Sequence, residues 1–591
     1  MAKIDNWIRD AFALHQKGER AQAEAICRKI LKKMPKHAGA LYLVGLYQLE
    51  RGEPQQALKS LQQADRGIPN TVDVQVALAT ALGKLNRYDE ALALFEKVLA
   101  VAPNSTNALH QLALLHFQMR NYSKAIRQYE KWIRINPRSE IAIGGVGNCL
   151  MELSDFAGAR ECYQKSLSIK PLPWVEHNLL FAAAYDPEVT PEESYRMHAA
   201  WGNQVAQAVR SHALTRHPNP PDPARRLRIG YLSPDLKRHP VSMFLSSIMA
   251  YHDPSQVEVY CYGNIRHPDA VTAAVRQQAS VYRDTLDLSD QAVAAQIADD
   301  RIDILVELAG LTAHNQLRVL AFKPAPVQVS FLGYPSTTGL PTVDYRLTDA
   351  LTNPPETEKF YTERLERVEG GFSCFIIPPD LPDPGPLPAR ENGYITFGSL
   401  VTLRKVNRQV VALWAEVMRA VPDSRILLFR DTLGDEEMRN QFRGWFDAED
   451  IDASRVAFGW EMPPPEEGRH YAIYRKVDIV LDTLPFSGHT SSCEALAMGV
   501  PVLTCKGPDF AGRLSYAVLE MVGLEDFVAD SSQEFVALAK GWAGRLDELA
   551  DIRAGLRQRM ERSRLNDAEA TTRAIEAAYR RMWKAWCATQ G

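Results

Sequence analysis

Proline recurs at a fixed interval through the first third of this 591-residue sequence. Five prolines follow one another at steps of 34 residues: Pro35, Pro69, Pro103, Pro137 and Pro171. An alanine lies twelve residues before each proline: Ala23, Ala57, Ala91, Ala125 and Ala159. A small residue lies twenty-four residues before each proline: Ala11, Gly45, Ala79, Ala113 and Gly147. Because small side chains let helices approach closely and proline interrupts a helix, the pattern predicts one helical hairpin in each period.

A 34-residue unit of this kind resembles the tetratricopeptide repeat, in which helical hairpins stack into a curved array with a groove. The resemblance covers residues 5 to 172, so residues 1–172 are predicted to form about five repeats. The groove is a candidate surface for polypeptide partners. The alternative is an array that only supports the rest of the chain or joins copies into a homo-oligomer.

The pattern changes after Pro171. Helical segments predicted at residues 174–184 and 191–211 precede a proline-rich stretch at 216–226, so residues 173–225 are predicted to form a helical, proline-rich linker. Beyond the linker, short apolar and β-branched runs alternate with helical stretches, which indicates parallel α/β sheets. The predicted strands are residues 227–233, 257–263, 302–308 and 327–333, and then 393–399, 424–430, 455–459, 478–483 and 501–505.

A second proline-rich stretch, at residues 376–390, divides these strands into two Rossmann-like lobes. The predicted boundaries are 226–385 for the first lobe and 386–560 for the second. A helix within residues 561–591 is expected to pack back across the lobes. The predicted fold is therefore an α-helical repeat array followed by two α/β lobes with a ligand cleft between them.

Composition excludes several classes of partner. The formal net charge is −4 without long blocks of like charge, so neither nucleic acid nor an anionic membrane is an expected partner. The eight cysteines have neither paired nor zinc-ligand spacing, which favours a reducing compartment. There is no apolar signal segment and no run of about 18 apolar residues, so a cytoplasmic protein without a metal site is expected.

Ligands of parallel sheets lie at the carboxyl ends of the strands, and the run 487–492 (SGHTSS) follows one of them. The free amides at a helix start, with the hydroxyl groups of Thr490, Ser491 and Ser492, can hold a diphosphate there, and Glu494 can reach a ribose. The alternative is local: Ser491-x-x-Glu494 also spells a capping box, which would use both side chains to hold the helix end.

Three further candidates follow other predicted strands. Lys405 can neutralise a diphosphate leaving group, as can the neighbouring Arg404, although most loop lysines are only solvated. His470, expected near the start of a helix, can stack on a base or donate to phosphate, although a single helical histidine is more often a surface residue. His239 is a titratable group on the opposite side of the cleft, and the alternative is an ordinary loop histidine beside a proline.

Four segments resemble the Spindly and O-GlcNAc transferase family, glycosyltransferase family 41. They are DILVELAGLTAHN at 303–315, KPAPVQVSFLGYPSTTGLPTVDYRLTD at 323–349, GYITFGS at 393–399 and CEALAMGVP at 493–501. The resemblance spans essentially the whole chain. It implies a metal-independent GT-B glycosyltransferase that moves a sugar from a nucleotide donor to Ser or Thr hydroxyl groups of polypeptides, with inversion at the anomeric carbon and no cofactor besides the donor.

The resemblance also implies roles for the residues of the second lobe. Lys405 matches the lysine on the donor diphosphate, and His470 matches the histidine near the base. The phosphate-binding helix start is matched by His489, Thr490 and Ser491. Glu494 matches the acidic contact to ribose.

In the first lobe, His239 matches an active-site histidine, so His239 and Lys405 are the predicted catalytic residues. No group is uniquely marked as the general base.

Two departures from the family pattern affect specificity. The GHTSS run is similar to the GlcNAc branch, whereas Cys493-Glu494 and GYPSTTGLPTVDYR are more similar to plant Spindly, whose members use GDP-fucose; the donor is therefore GDP-fucose or UDP-GlcNAc. The asparagines that clamp acceptor peptides in O-GlcNAc transferases are replaced here by Arg9, Leu43, Ala77, Gln111 and Gly145. Two alternative functions stay open: a catalytically inactive scaffold, and a transferase acting on asparagine or on a glycan.

Overall fold

The computed structural model describes residues 2–590, which separate into two compact units. The first unit contains residues up to 150 together with 161–172, and the second contains 151–160 and the chain from 173 onward. The repeat region is helical throughout: α1 (Ala2–Gln16), α2 (Arg20–Lys33), α3 (Ala38–Glu50), α4 (Pro54–Gly67), α5 (Val72–Lys84), α6 (Tyr88–Val101), α7 (Thr106–Gln118), α8 (Tyr122–Ile135), α9 (Glu140–Glu152) and α10 (Phe156–Ile169).

The helix boundaries repeat with the period read from the prolines. The second helix of each hairpin ends two residues before a proline, at Lys33, Gly67, Val101, Ile135 and Ile169. A residue that precedes proline is pushed out of the helical region, and Met34 accordingly has φ −133° and ψ 81°. The predicted helical hairpins are therefore confirmed, and the proline sets where each one ends.

The small residues lie where the helices of a hairpin touch. All eight alanines of the two predicted sets are fully buried: Ala11, Ala23, Ala57, Ala79, Ala91, Ala113, Ala125 and Ala159. A Cβ atom on Gly45 would lie 2.6 Å from Leu61, and one on Gly147 would lie 2.7 Å from Tyr163. The predicted close contacts are confirmed.

The second unit contains two parallel sheets. The strands are β1 (Leu227–Ser233), β2 (Val257–Gly263), β3 (Val281–Asp284), β4 (Ile304–Glu307), β5 (Val327–Ser330), β6 (Tyr345–Thr348), β7 (Arg364–Arg367), β8 (Thr396–Ser399), β9 (Arg425–Phe429), β10 (Val456–Gly459), β11 (Ile479–Leu481), β12 (Val502–Cys505) and β13 (Val528–Ala529). The first sheet has the order β3-β2-β1-β4-β5-β6-β7 and the second β10-β9-β8-β11-β12-β13. Within each sheet, neighbouring strands run parallel.

All nine strands predicted from the sequence are present, and the two-lobed α/β fold is confirmed. The sequence reading missed β3, β6, β7 and β13. Strands β6 (YRLT) and β7 (RLER) carry charged residues, and β3 is only half-buried, so none has the apolar run that marks an interior strand.

Helices cover both sheets of the second unit. Their bounds are α11 (Pro173–Ala182), α12 (Pro191–Val209), α13 (Pro240–Tyr251), α14 (Ala270–Gln278), α15 (Asp290–Asp299), α16 (Pro388–Asn392), α17 (Arg408–Ala420), α18 (Glu436–Asp447), α19 (Thr490–Ala497), α20 (Leu514–Val522), α21 (Ser532–Ala543), α22 (Leu546–Glu561) and α23 (Ala568–Ala588). In the part of the chain described, none of the helices is long and apolar enough to cross a membrane.

The C-terminal helix α23 returns to the first lobe. Its residues Ile575, Tyr579 and Trp583 are fully buried in the core that contains β1 and α13. The indole Nε1 of Trp583 donates to the Asp222 carbonyl at 2.9 Å. The predicted helix is confirmed, and it packs the end of the chain against the first lobe.

Helix α12 is packed directly against the loop that follows β5. A Cβ atom on Gly202 of α12 would collide with the carbonyl oxygen of Gly339, so the backbones touch at this point. Leu332, Gly333, Tyr334 and Pro335, at the start of the same loop, line the cleft between the lobes. Glycine in the middle of a helix is therefore a packing requirement here.

We expect Gly202→Ala to lower the free energy of unfolding by about 1–3 kcal/mol, because the added methyl group meets rigid backbone. The matched control is Gly555→Ala in α22, where nothing lies within 4 Å of the added Cβ. That change should raise stability by about 0.5–1 kcal/mol through helix propensity. Thermal unfolding of both variants checks the pair, and equal effects would contradict the contact.

Candidate active site

A cleft of about 460 Å³ lies between the two lobes of the second unit. It is lined by the seven residues to which the family resemblance assigned a role in the site: His239, Lys405, His470, His489, Thr490, Ser491 and Glu494. These residues follow the carboxyl ends of β1, β8, β10 and β11, where parallel sheets place ligands. The structure thus brings together seven side chains that are spread over more than 250 positions of the sequence.

The segment 482–489 connects β11 to α19 and is held by one buried carboxylate. The Asp482 Oδ1 accepts the Gly488 amide at 2.8 Å, and Oδ2 accepts the Thr504 hydroxyl at 2.7 Å. The Ser487 hydroxyl donates to the Ala511 carbonyl and accepts the Leu514 amide. A Cβ atom on Gly488 would collide with the Ser492 hydroxyl, so the turn requires glycine. The path of the chain into α19 is therefore fixed.

Helix α19 begins without a side-chain cap. His489 occupies the N-cap position and its side chain makes no capping hydrogen bond. The first amides of a helix have no partner within the helix, so those of Thr490 and Ser491 are left for a ligand in the cleft. Ser492 does not join them as predicted, because its side chain is buried against the Ser515 hydroxyl at 2.8 Å.

The capping-box alternative is wrong. Ser491 lies inside the helix and not at its N-cap. The Glu494 carboxylate accepts instead from the Nε2 of His470 at 3.2 Å and from the Tyr471 hydroxyl at 3.5 Å. His470 is the second residue of the 3₁₀ helix Arg469–Lys476, close to the predicted helix start. Glu494 and His470 therefore form one pair on the cleft wall, with both side chains partly exposed.

Lys405 points its ammonium group at the same loop. Its Nζ donates to the Ser487 carbonyl at 2.6 Å and lies 3.7 Å from the centre of the Phe486 ring. Burial lowers the pKa of Lys405 to about 7; the charge of Asp482 opposes this effect, and those of Arg404 and Arg430 add to it. An anion in the cleft would restore the ammonium form.

Arg404 is not available for the role that the sequence allowed it. Its guanidinium pairs with Glu152 at 3.0 Å and lies over the rings of Phe181 and Tyr185. Adjacent basic residues thus have different surroundings: Lys405 faces the cleft, and Arg404 is bound to a carboxylate 252 positions earlier.

His489 lies between aromatic rings of the first lobe. Its imidazole stacks on Phe244 with ring centres 4.5 Å apart and on Phe372 at 5.7 Å, and its Nε2 is 3.1 Å from the Ser373 hydroxyl. Burial, with the nearby Lys405 charge, lowers the pKa of His489 to about 3. The ring is therefore neutral at physiological pH and brings no positive charge to a phosphate.

His239 forms the N-cap of α13 on the other side of the cleft. Its Nδ1 accepts the Val241 amide at 3.3 Å, and the Asp235 carboxylate is 3.6 Å from the same nitrogen. Burial lowers the pKa of His239, while the charge of Asp235 acts in the opposite direction. A neutral ring that accepts at Nδ1 carries its proton on Nε2.

Several cleft residues were missed from the sequence. Arg430 follows β9 and Met462 follows β10, and both line the cleft. Tyr334 lines it from the first lobe, with its hydroxyl 2.6 Å from the Nε2 of the buried His198. The position of Arg430 at a strand end was a usable signal, whereas Met462 and Tyr334 carry no pattern that distinguishes them. Over the described residues, no group of three or more His, Cys, Asp or Glu side chains is placed to hold a metal ion.

Helical repeats are followed by two parallel-sheet lobes, and the cleft at the strand ends holds Lys405 and an uncapped helix start. These features define a repeat-bearing GT-B protein. Residues 193–376 and 388–575 match the model of glycosyl transferase family 41. Two overlapping stretches of the repeats, 16–98 and 84–166, match the helical-repeat model of anaphase-promoting complex, cyclosome, subunit 3. The chain therefore belongs to glycosyl transferase family 41.

Relatives support the same family. The chain is 36% identical over 416 residues to the probable UDP-N-acetylglucosamine–peptide N-acetylglucosaminyltransferase SPINDLY of Petunia hybrida, covering 69% of this chain and 44% of that protein. It is 37% identical over 415 residues to the SPINDLY protein of Oryza sativa subsp. japonica, with the same coverage. The chain thus spans less than half the length of these curated relatives.

A solved structure extends the similarity to most of the chain. A point mutant of the Thermobaculum terrenum O-GlcNAc transferase superposes with a TM-score of 0.79 at 31% identity. The match covers 88% of this chain and 100% of that one. Repeats and both lobes therefore have a counterpart in one known structure.

We expect Ser491→Ala to leave the free energy of unfolding unchanged, because Ser491 does not cap α19. The matched control is Ser531→Ala, since the Ser531 hydroxyl caps α21 by accepting the Glu534 amide at 3.2 Å. Loss of that cap should cost about 1 kcal/mol. Denaturant unfolding compares the two, and an equal loss at Ser491 would restore the capping-box interpretation.

Proposed function

We propose that this protein is a protein O-glycosyltransferase whose second lobe binds a nucleotide-sugar donor. The observation that carries the proposal is the common orientation of the Lys405 ammonium and the uncapped start of α19 toward one cleft. A cation beside free helix amides is a site for an anion such as a diphosphate. The relatives are named as probable peptide N-acetylglucosaminyltransferases, which supports the reaction class.

The proposed reaction is a single displacement at the anomeric carbon. The oxygen of a Ser or Thr hydroxyl forms a bond to that carbon as the bond from the carbon to the diphosphate oxygen breaks. The electron pair leaves with the diphosphate, and the hydroxyl proton passes to a base or to water. Attack from the face opposite the leaving group inverts the configuration.

Lys405 and the amides of Thr490 and Ser491 supply the charge stabilisation. Negative charge grows on the diphosphate in the transition state, and preorganised donors there lower the barrier. A fixed cation can take the role that a divalent metal has in other transferases, so we propose metal-independent transfer. We therefore expect the transfer activity to be retained in excess EDTA.

The pair His470–Glu494 is proposed to hold the nucleoside. In this proposal Glu494 accepts from a ribose hydroxyl group, and the ring of His470, which lines the same cleft, stacks on the base. In this arrangement the base and ribose lie against the 3₁₀ helix, and the diphosphate lies toward Lys405.

His239 is proposed to act from the acceptor side. With Nδ1 occupied by the Val241 amide, its Nε2–H can donate to a bound acceptor group. Action as a base would require the proton to shift to Nδ1, toward Asp235.

Polypeptide acceptors are expected to reach this side of the cleft, and the repeats are proposed to help select them. A reducing, cytoplasmic setting is proposed from the spacing of the cysteines along the sequence.

Calorimetry with UDP, GDP, UDP-GlcNAc and GDP-fucose tests the donor. Names of the relatives favour UDP-GlcNAc, whereas the Spindly-like motifs favour GDP-fucose. We expect one nucleotide to bind, and Lys405→Met to weaken that binding at least tenfold through loss of a charge-assisted contact. The control is Lys476→Met, an exposed lysine of the second lobe outside the cleft.

Mass spectrometry of polypeptides incubated with the bound donor then locates the sugar. Attachment to Ser or Thr supports the proposal, and attachment to Asn or to a glycan contradicts it. Absence of nucleotide binding by the unmodified protein would leave the scaffold function in its place.

The affinity for the nucleotide diphosphate should fall as pH rises from 7 to 9. Lys405 has a pKa of about 7 in the free protein, and a bound diphosphate favours the ammonium form, so binding above pH 7 takes up a proton. The loss approaches tenfold per pH unit. Titrations in buffers of different ionisation enthalpy measure the proton uptake, and Lys405→Met should abolish it; a slope unaffected by that variant would disprove the linkage.

A further inference from the structure

Arg430 is a second cation in the cleft. It follows the last residue of β9, Phe429, and its backbone amide donates to the Gly459 carbonyl at 3.0 Å, so the next strand fixes its position. Its side chain is partly exposed and lines the same cavity as Lys405 and Glu494. The rigid strand end gives the guanidinium a defined place in the site.

Most of the hydrogen-bonding capacity of this guanidinium is unused. The Nε donates to the Val401 carbonyl at 2.9 Å. A guanidinium has five donors, and within the described residues no carboxylate pairs with Arg430. The acidic residue of the cleft, Glu494, is already engaged by His470 and Tyr471.

The charge of Arg430 acts on two groups of the second lobe that lie beside the proposed diphosphate site. Its charge contributes to the lowered pKa of Lys405. It also opposes the raised pKa of Tyr474, whose hydroxyl donates to the Ser491 carbonyl at 3.1 Å. Arg430 is therefore near both Lys405 and the first turn of α19.

Two cations that share a cavity without a carboxylate between them repel each other, and this repulsion is relieved when an anion binds. The charge of Asp482 offsets this repulsion only in part: it favours the Lys405 ammonium, but its oxygens are hydrogen-bonded to Gly488 and Thr504, and among the described residues it forms no ion pair with either cation. The anchored Nε leaves the two terminal nitrogens as a planar fork, which is the geometry that recognises phosphate oxygens.

We propose that Arg430 binds the diphosphate of the nucleotide-sugar donor, opposite Lys405, and stabilises it as the leaving group. The inference rests on the proposed function, since it names a further residue of the same site. In this arrangement the diphosphate has three supports: the Lys405 ammonium, the Arg430 fork and the amides at the start of α19. Arg430 would then contribute to catalysis by direct contact with the substrate.

The test compares diphosphate with nucleoside binding. The probes are GDP and UDP, with guanosine and uridine as their phosphate-free counterparts, titrated calorimetrically into the full chain. Arg430→Gln should weaken binding of the preferred diphosphate about tenfold to a hundredfold, as expected for a lost charge-assisted contact, and leave the nucleoside unchanged. Arg430→Lys, which keeps the charge but loses the fork, should give an intermediate loss.

The matched control is Arg425→Gln. Arg425 lies at the opposite end of β9, is exposed, and stacks over Tyr394 outside the cleft. The Arg425→Gln variant should bind the diphosphate and the nucleoside as the unmodified protein does. Melting temperatures of all variants verify folding, and the Lys variant preserves the test if the Gln variant is unstable.

The outcomes separate this inference from the proposed function. If Arg430→Gln binds the diphosphate normally while Lys405→Met binds it weakly, only the role of Arg430 is overturned. Equal losses for diphosphate and nucleoside also overturn it, because they would indicate that Arg430 only holds the loop at Val401. Failure of the unmodified protein to bind either nucleotide overturns both proposals.

Discussion

The buried carboxylate of Asp482 is the interaction on which the candidate site depends. It is 4% exposed, and a buried carboxylate is tolerated only when its oxygens are hydrogen-bonded. The partners are the Gly488 amide and the Thr504 hydroxyl, and the Trp414 indole donates to the Asp482 carbonyl. Together these bonds fix the turn between β11 and α19, which sets the direction of the helix start.

The same turn organises both walls of the cleft. Its Ser487 carbonyl holds the Lys405 ammonium, and its last residue, His489, reaches across to Phe244 and Phe372 of the first lobe. Because burial keeps the imidazole neutral, His489 can stack between apolar rings without an unpaired charge. The positive charge of the site is thereby left to Lys405 and Arg430, on the second lobe.

Local pattern predicted the fold well where one residue type decides the structure. The prolines and small residues defined the repeats, and apolar runs defined the interior strands. The turns inside the repeats were less readable: Gly18 and Gly52 adopt positive φ, as glycine readily does, but Arg120 and Ser154 adopt it at the equivalent positions. Packing of the two helices imposes that conformation even where the side chain disfavours it. Strand β6 was hidden because it contains Arg346, which is nevertheless buried and donates to the carbonyls of Ser336 and Tyr334 in the loop before the strand.

The sequence by itself determined the repeat period, the division into two α/β lobes and the strand ends at which the seven site residues matched by the resemblance lie. The tertiary structure decided what each side chain does there. It paired Arg404 with Glu152, turned Ser492 away toward Ser515, and left Arg430 facing the cleft. The physical reason is that helix and strand periodicity is local, whereas hydrogen-bond partners, burial and the resulting charge states are supplied by residues far away in the chain.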